Sequence, residues 1–191
     1  MPAKGSFSAK LSKIGLFPHD VKVERRLSDL RKYFYDKRAV ESILSRGEDP
    51  LIYVVYEIGR EREGELNVGC TIIYPGKIGD EYYFTKGHFH VKEAGEVYLG
   101  ISGEGLILMQ DRYGGVFTEE IRPETIVYVP PGLAHRSVNT GKNELIFLAI
   151  YPSDAGHDYE TVDRIGFAKI VVERDGKPTL IDNPNYRGEI K

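Results

Sequence analysis

The feature that most constrains the fold is a series of short apolar runs between Leu51 and Tyr151, separated by turn residues. The runs are rich in β-branched and aromatic residues, which favour strands. They read LIYVVYEI, CTIIYP, YYFTKGHFH, EVYLGIS, GLILMQ, TIVYVP and LIFLAIYP. Between them lie turn signals such as Pro75-Gly76 and Gly114-Gly115. Many short strands at this spacing predict an all-β fold, either a closed barrel or a two-sheet jelly roll.

A single domain is predicted over residues 1–191, because this length suffices for one core and is too short for two ordinary domains. Residues 1–50 are expected to form an arm with short extended pieces and a helix. The barrel is expected over 51–175, with a further strand from Ala168 to Glu173. An irregular polar tail is expected over 176–191.

One helix is predicted in the N-terminal segment, where the best helical pattern lies between Ser28 and Leu44. Asp36 can cap a short helix that continues through Ser45. Gly47, followed by Pro50, is expected to end it.

Three histidines and a glutamate have the spacing of a metal site. His88 and His90 are two residues apart, so on a strand both imidazoles point to the same face. Glu96 keeps that parity after a turn or bulge predicted over residues 92–95, and a neighbouring strand that follows a Pro-Pro-Gly turn could bring His135 to the same place. Three imidazoles and one carboxylate suit a divalent transition metal with coordination positions left open.

The composition is that of a soluble globular chain, with 41% hydrophobic and 29% charged residues. The net charge is −3 and the basic residues are spread along the chain, which argues against nucleic acid as a partner. No apolar run reaches the length of a membrane span, and the first residues lack the pattern of a signal peptide. Cys70 is the single cysteine, which favours a cytoplasmic location.

The sequence resembles a known family. His88-x-His90, Glu96 and Gly103 resemble the first cupin motif, and PPG-x₂-His135-x₃-Asn139 resembles the second. Within the cupins, the longer strings TKGHFH, EVY, VYVPP, AHR and FLAIYP-x-DAGHDY resemble the archaeal-type phosphoglucose isomerase. The resemblance extends from about residue 26 to residue 186 and implies a cupin jelly-roll β-barrel.

The resemblance also implies a function: metal-dependent interconversion of glucose 6-phosphate and fructose 6-phosphate in glycolysis and gluconeogenesis. It implies a homodimer and a metal bound by His88, His90, Glu96 and His135. That metal would be Fe²⁺, with Ni²⁺, Mn²⁺, Co²⁺ or Zn²⁺ also acceptable to such a donor set. The residues that correspond to sugar-phosphate contacts are Tyr53, Thr71, Thr85, Gly87, Tyr98, Tyr151 and Tyr159.

Two catalytic residues are expected, Glu96 as the base that moves the substrate proton and His157 as a proton donor to the ring oxygen. A carboxylate bound tightly to a metal is a poor base, so a direct hydride shift stays open beside the enediol route. A cupin dioxygenase and a non-catalytic sugar-binding cupin also stay open as alternative functions. Without the family resemblance, the tyrosines and threonines would be ordinary core and strand residues.

Overall fold

The fold is that of a computed structural model, which describes residues 5–60 and 62–188. The predicted arm and tail extend to residues 1–4 and 189–191, which lie outside the described residues. The predicted all-β class is confirmed: fifteen strands and three short helices make up the described chain. None of those helices has both the length and the apolar character needed to cross a membrane.

Strands dominate from the first described residues to the last. In chain order the elements are β1 Lys10–Ser12, β2 Gly15–Phe17, β3 Val21–Arg26, α1 Leu27–Leu30, α2 Lys37–Ser45, β4 Leu51–Ile58, β5 Leu66–Ile73, β6 Lys77–Ile78, β7 Glu81–Tyr82, β8 Glu96–Ser102, β9 Gly105–Gln110, β10 Val116–Ile121, β11 Ile126–Val129, β12 Ala134–Asn139, β13 Leu145–Pro152, α3 Tyr159–Ile165, β14 Lys169–Arg174 and β15 Lys177–Asp182.

Two antiparallel sheets form the two layers of the domain. The larger has six strands in the order β11-β8-β13-β5-β4-β3, and the smaller has three in the order β10-β9-β12. Their inner faces share one hydrophobic core, to which Tyr98 and Phe147 come from the larger sheet and Ile107 and Met109 from the smaller. Among the described residues the hydrogen-bonded strands do not close into one barrel, so the arrangement is the two-sheet alternative and not a closed barrel.

A third sheet, in the order β15-β14-β7-β6, packs at the edge of this core, and β1 and β2 form a separate hairpin. The strand predicted over 168–173 is confirmed as β14, one residue later. The prediction of an irregular tail after residue 175 is wrong, because residues 177–182 form β15 and pair antiparallel with β14. Most positions of this strand are exposed and only Leu180 and Ile181 are large apolar residues, so its sequence lacks the apolar run of a buried strand.

The predicted helix is confirmed as α2. The side chain of Asp36 accepts a hydrogen bond from the backbone N–H of Ala39 at 2.9 Å, which satisfies one unpaired donor of the first turn. Gly47 follows the last turn in the left-handed conformation at φ +76°, which glycine adopts without strain. The extended piece predicted in the arm is also present, as β3 at the edge of the larger sheet.

The run YYFTKGHFH does not form the continuous strand that was predicted. Only its first tyrosine belongs to a strand, and single bridges then join Phe84 to Val138 and His88 to His135. Gly87, at φ +78°, interrupts the extended conformation between these bridges. The neighbouring strand expected to carry His135 is present as β12, whereas the polar strand β10 and the helix α3 were not predicted, because their burial depends on partners distant in the chain.

Candidate metal centre

Three histidines and one glutamate converge between the two sheets. One ligand atom from each of His88, His90, Glu96 and His135 lies within 4.8 Å of those of the other three. The ring centroid of His88 is 5.4 Å from that of His90 and 4.6 Å from that of His135. The structure therefore brings together the four residues that the sequence proposed as metal ligands.

An antiparallel bridge positions two of these residues. The backbone N–H of His88 donates to the carbonyl of His135 at 3.3 Å, and the reverse bond measures 3.0 Å. A Cβ at Gly87 would lie 2.8 Å from the same His135 carbonyl oxygen, so the close approach of the two segments requires glycine there. Glu96 is the first residue of β8 and points to the same interior.

The potential ligand atoms are buried and have no hydrogen-bond partner outside their own cluster, which comprises Nε2 of His88, His90 and His135 and Oε2 of Glu96. Within the cluster, Oε2 of Glu96 lies 2.9 Å from Nε2 of His135 and 3.4 Å from Nε2 of His90. Nδ1 of His90 donates to the carbonyl of Ala94 at 2.9 Å and Nδ1 of His135 to that of Leu133 at 3.2 Å, which leaves Nε2 of both rings directed into the cluster. Unpaired buried polar atoms are costly. Four that face one another fit a divalent cation bound between them.

The charge states of the cluster also suit a metal. Burial would raise the pKa of Glu96, but the neighbouring His135 and His90 lower it to about 2. Burial, together with the adjacent imidazoles, lowers the pKa of His88 well below 6.5. At neutral pH Glu96 is therefore an anion and His88 a neutral base, the forms in which both residues bind metals.

A cavity of about 300 Å³ opens onto this cluster. Three of the four potential ligands, His88, Glu96 and His135, line this cavity, and His90 does not. Every residue proposed for substrate binding or proton transfer also lines it, namely Tyr53, Thr71, Thr85, Gly87, Glu96, Tyr98, Tyr151, His157 and Tyr159. Its size lies at the lower end of the range of small-molecule sites.

His157 and Tyr159 form one wall of the cavity. Their rings stack with centroids 5.7 Å apart and an interplanar angle of 12°. The His157 ring lies 4.3 Å from that of His88. Burial lowers the pKa of His157 and raises that of Tyr159 to about 12, so both side chains are neutral at neutral pH.

Tyr98 and Tyr151 form the side next to Glu96. Burial and the charge of Glu96 raise the pKa of Tyr98 well above 10. The hydroxyl of Tyr151 donates to Oε2 of Glu57 at 2.6 Å. Since that bond uses the only hydroxyl hydrogen, the Tyr151 oxygen faces the cavity as an acceptor.

Hydroxyl groups mark another part of the wall. Thr85 is held against β12: its N–H donates to the Ser137 carbonyl at 2.9 Å, and its Oγ1 accepts from the Ser137 N–H at 3.0 Å. Thr71 is buried on β5, opposite Val55 of β4 and Phe147 of β13. Thr71 on the larger sheet and Thr85, in the segment hydrogen-bonded to β12 of the smaller sheet, thus line the same cavity.

Comparison with known proteins decides the family. A family model described as "Glucose-6-phosphate isomerase (GPI)" matches residues 24–187. The chain belongs to the glucose-6-phosphate isomerase family. The glucose-6-phosphate isomerase of Thermococcus kodakarensis is 50% identical over 175 residues, covering 91% of this chain and 92% of that protein. That of Pyrococcus abyssi is 49% identical with the same coverage. The predicted family resemblance is confirmed.

Solved structures resemble part of the domain. An oxalate oxidase in complex with glycolate superposes on 53% of this chain and 49% of its own, with 18% identity and a TM-score of 0.44. This overlap carries no argument about the chemistry of the site.

Three polar or charged cavity residues of this glucose-6-phosphate isomerase family member were missed in the sequence: Arg25, Glu57 and Ser137. Arg25 lies on β3, which the sequence suggested only as an extended piece of an arm. Glu57 lies four residues after Tyr53 on β4, so the period of two could have indicated it once the face was known. Ser137 lies two residues after His135 on β12, so the same period could have indicated it on the strand expected to carry His135.

Proposed function

We propose that the protein is a metal-dependent aldose–ketose isomerase that interconverts glucose 6-phosphate and fructose 6-phosphate in glycolysis and gluconeogenesis. The observation that carries this proposal is the cluster of four buried, converging ligand atoms beside a cavity of sugar size, in a member of the glucose-6-phosphate isomerase family. The cavity is lined by hydroxyls, tyrosines and a histidine, which suit a polyhydroxylated substrate.

We propose that His88, His90, Glu96 and His135 hold the metal and that it is Fe²⁺. When bound, a divalent ion polarises the substrate carbonyl and stabilises the negative charge that develops on the two adjacent oxygens. The family resemblance favours iron, and the same donors accept Ni²⁺, Mn²⁺, Co²⁺ or Zn²⁺.

Glu96 is the proposed base. Its low pKa, about 2, keeps it ionised at neutral pH. It takes the proton from C2 of open-chain glucose 6-phosphate and returns it to C1, while the proton of the C2 hydroxyl passes to the C1 oxygen, so that C1 gains a hydroxyl and C2 becomes the carbonyl of the ketose. The opposite direction uses the same group.

His157 is proposed to open the sugar ring. Since burial keeps this imidazole neutral, its free nitrogen can accept the proton of the anomeric hydroxyl, and the imidazolium so formed delivers a proton to the ring oxygen as the bond between the anomeric carbon and that oxygen breaks. The stacked ring of Tyr159 fixes its orientation, and the ring of Tyr151 lies 5.5 Å away at nearly a right angle.

The remaining cavity residues are proposed as substrate contacts. Tyr53, Thr71, Thr85 and Gly87 offer hydroxyl and backbone N–H groups for the sugar phosphate. Tyr98 can donate from a hydroxyl that burial keeps protonated. Tyr151, which already donates to Glu57, accepts a hydrogen bond from a sugar hydroxyl.

We also propose a homodimer, with the outer face of β11 and β8 as the contact between subunits. Ile126 is 72% exposed and Tyr128 57% exposed, and Tyr128 pairs in register with the exposed Val97. Such an apolar patch suits a second copy of the chain. Light scattering should give the dimer mass for the wild type and a monomer mass for Ile126→Lys.

The cytoplasmic location stays a proposal that the single cysteine favours.

The deciding experiment is a coupled assay in which fructose 6-phosphate is supplied and glucose 6-phosphate is detected by its dehydrogenase. The protein is treated with chelator, checked for metal content and reconstituted with one divalent metal at a time. We expect activity to disappear with the metal and return with it. Full activity in a verified metal-free protein would contradict the metal dependence. Oxygen consumption, or sugar binding without turnover, would favour the dioxygenase or binding-protein alternative.

A further inference from the structure

A second cavity, with a volume of about 270 Å³, lies between α3, β12 and the segment that follows β15. Among the described residues it shares none of its lining with the cavity beside the metal cluster, so the two are separate. Its charged lining residues are five cations and one anion: Lys32, Lys37, Arg136, Arg164, Arg187 and Asp163. Such an excess of positive charge on a concave surface attracts anions.

The single carboxylate of this second cavity is already paired with lysines. Oδ2 of Asp163 accepts a hydrogen bond from Nζ of Lys32 at 2.9 Å, and its Oδ1 lies 3.2 Å from Nζ of Lys86. Nζ of Lys37 donates to backbone carbonyls at 2.6 and 2.7 Å. Within the described chain, none of the three arginines of the cavity forms an ion pair with a carboxylate. The uncompensated charge of the cavity is therefore that of its guanidinium groups.

Arg136 is a buried cation with unused donors. It is only 4% exposed, and its guanidinium lies 4.4 Å from the ring centroid of Phe84 and 4.1 Å from that of Phe167. Its Nη2 donates to the Lys86 carbonyl at 2.8 Å, whereas Nε has no partner in the part of the chain that the structure describes. A buried donor without a partner is costly. Because the two rings and the carbonyl fix this guanidinium in one orientation, it can bind an anion without a further loss of side-chain entropy.

The end of α3 contributes donors in excess of acceptors to the wall of the second cavity. The carbonyl of Val162 accepts from the N–H of Gly166 and that of Ile165 from the N–H of Arg187, both at 2.8 Å. These bonds end α3 and connect it to the segment after β15, which brings the side chains of Arg164 and Arg187 to one cavity. Since N–H groups already occupy both carbonyls, the guanidinium groups remain available for a ligand.

The chemistry of the cavity favours phosphate. Guanidinium groups recognise phosphate through parallel, charge-assisted hydrogen bonds. A volume of about 270 Å³ suits a small molecule and not a segment of a polymer. We propose that the second cavity binds a small phosphate-bearing molecule through Arg136, Arg164 and Arg187, at a site additional to the proposed substrate site. This inference goes beyond the proposed isomerase function and does not depend on it.

The test follows backbone amide signals by nuclear magnetic resonance while inorganic phosphate is added at constant ionic strength. The protein is reconstituted with diamagnetic Zn²⁺. The amides of Gly166 and Arg187 report on the second cavity, and that of Thr71 reports on the cavity beside the metal cluster. The wild type is compared with Arg164→Gln and with Arg38→Gln, after thermal denaturation has established that all three fold. Arg38 is exposed on α2 and lines neither cavity, so its substitution removes the same charge elsewhere.

In the wild type we expect the amide signals of Gly166 and Arg187 to shift with phosphate and to saturate. Arg164→Gln should raise the dissociation constant read from these signals about tenfold, the lower end for a charge-assisted hydrogen bond, because Arg164 is exposed. Arg38→Gln should match the wild type. Equal dissociation constants in the two variants would overturn the proposal. A response confined to Thr71 would assign all phosphate binding to the other cavity and would overturn it as well.

A second titration, with pyrophosphate, identifies the kind of phosphate ligand. Tighter binding than that of inorganic phosphate would assign a diphosphate group, and equal or weaker binding a single phosphate group; both results support the anion site. A wild type without isomerase activity, in which the Gly166 signal still responds to phosphate, would contradict the proposed function and leave this inference intact.

Discussion

Replacing Gly87 by alanine should damage the metal centre from a position that is not itself a ligand. The residue has φ +78°, a conformation that costs other residues roughly 1–2 kcal/mol. Its added Cβ would lie 2.8 Å from the His135 carbonyl oxygen and 2.9 Å from the Phe167 ring, where ordinary contact begins at 3.4 Å. Since both neighbours are buried, the overlap should cost a further 1–3 kcal/mol or so. We expect Gly87→Ala to lower the free energy of unfolding by about 2–5 kcal/mol.

Gly47→Ala is the matched control. Gly47 has almost the same φ, +76°, but nothing lies within 4 Å of its added Cβ, so it reports the backbone strain alone. Urea unfolding of both variants separates strain from overlap. Because the overlap falls on the bridge between His88 and His135, only Gly87→Ala should also weaken metal binding, by about tenfold, as for other changes that displace a ligand. Equal unfolding free energies and unchanged metal affinity would refute this reasoning.

Two further predictions concern carboxylates. Glu96→Gln should lower kcat by about 10²–10⁴-fold, the usual contribution of a positioned base. In deuterated water, the wild-type enzyme should incorporate solvent deuterium into the product. Retained activity of the variant, or a product without deuterium, would favour a hydride shift. Burial raises the pKa of Glu81 to about 7, so the folded protein holds its proton more tightly than the unfolded chain. The contribution of Glu81 to the free energy of unfolding is fully present below pH 4.5 and is lost as the pH rises through 7. The loss amounts to about 3 kcal/mol. Urea unfolding should therefore show that the free energy of unfolding of Glu81→Gln, relative to that of the wild type, is higher at pH 8 than at pH 4.5. An equal difference in unfolding free energy at the two pH values would contradict the pKa shift.

Much of the site was predictable because its signals are local. His88, His90 and Glu96 lie within nine residues, so a short segment of sequence contains three of the four potential ligands. The cap of α2 by Asp36 and its end at Gly47 likewise depend on neighbours in the chain. The apolar strands were visible because β-branched and aromatic residues recur in short runs between turns.

The tertiary structure decided which distant residues share the cavity. His135 reaches His88 through a bridge between segments far apart in sequence, and no local pattern states that pairing. Arg25 lies in the cavity because β3 pairs with β4, and Glu57 because β4 turns that face inward.

The sequence by itself therefore determined the family, the all-β class and the identity of the potential ligands. The tertiary structure decided that the hydrogen-bonded sheets of the described chain stay open, that polar segments such as β10 and β15 are strands, and that Arg25 and Glu57 line the cavity beside the metal cluster. The physical reason is the range of the interactions. Capping, turn formation and side-chain alternation act over a few residues, whereas strand pairing and burial depend on partners that only the folded chain brings together.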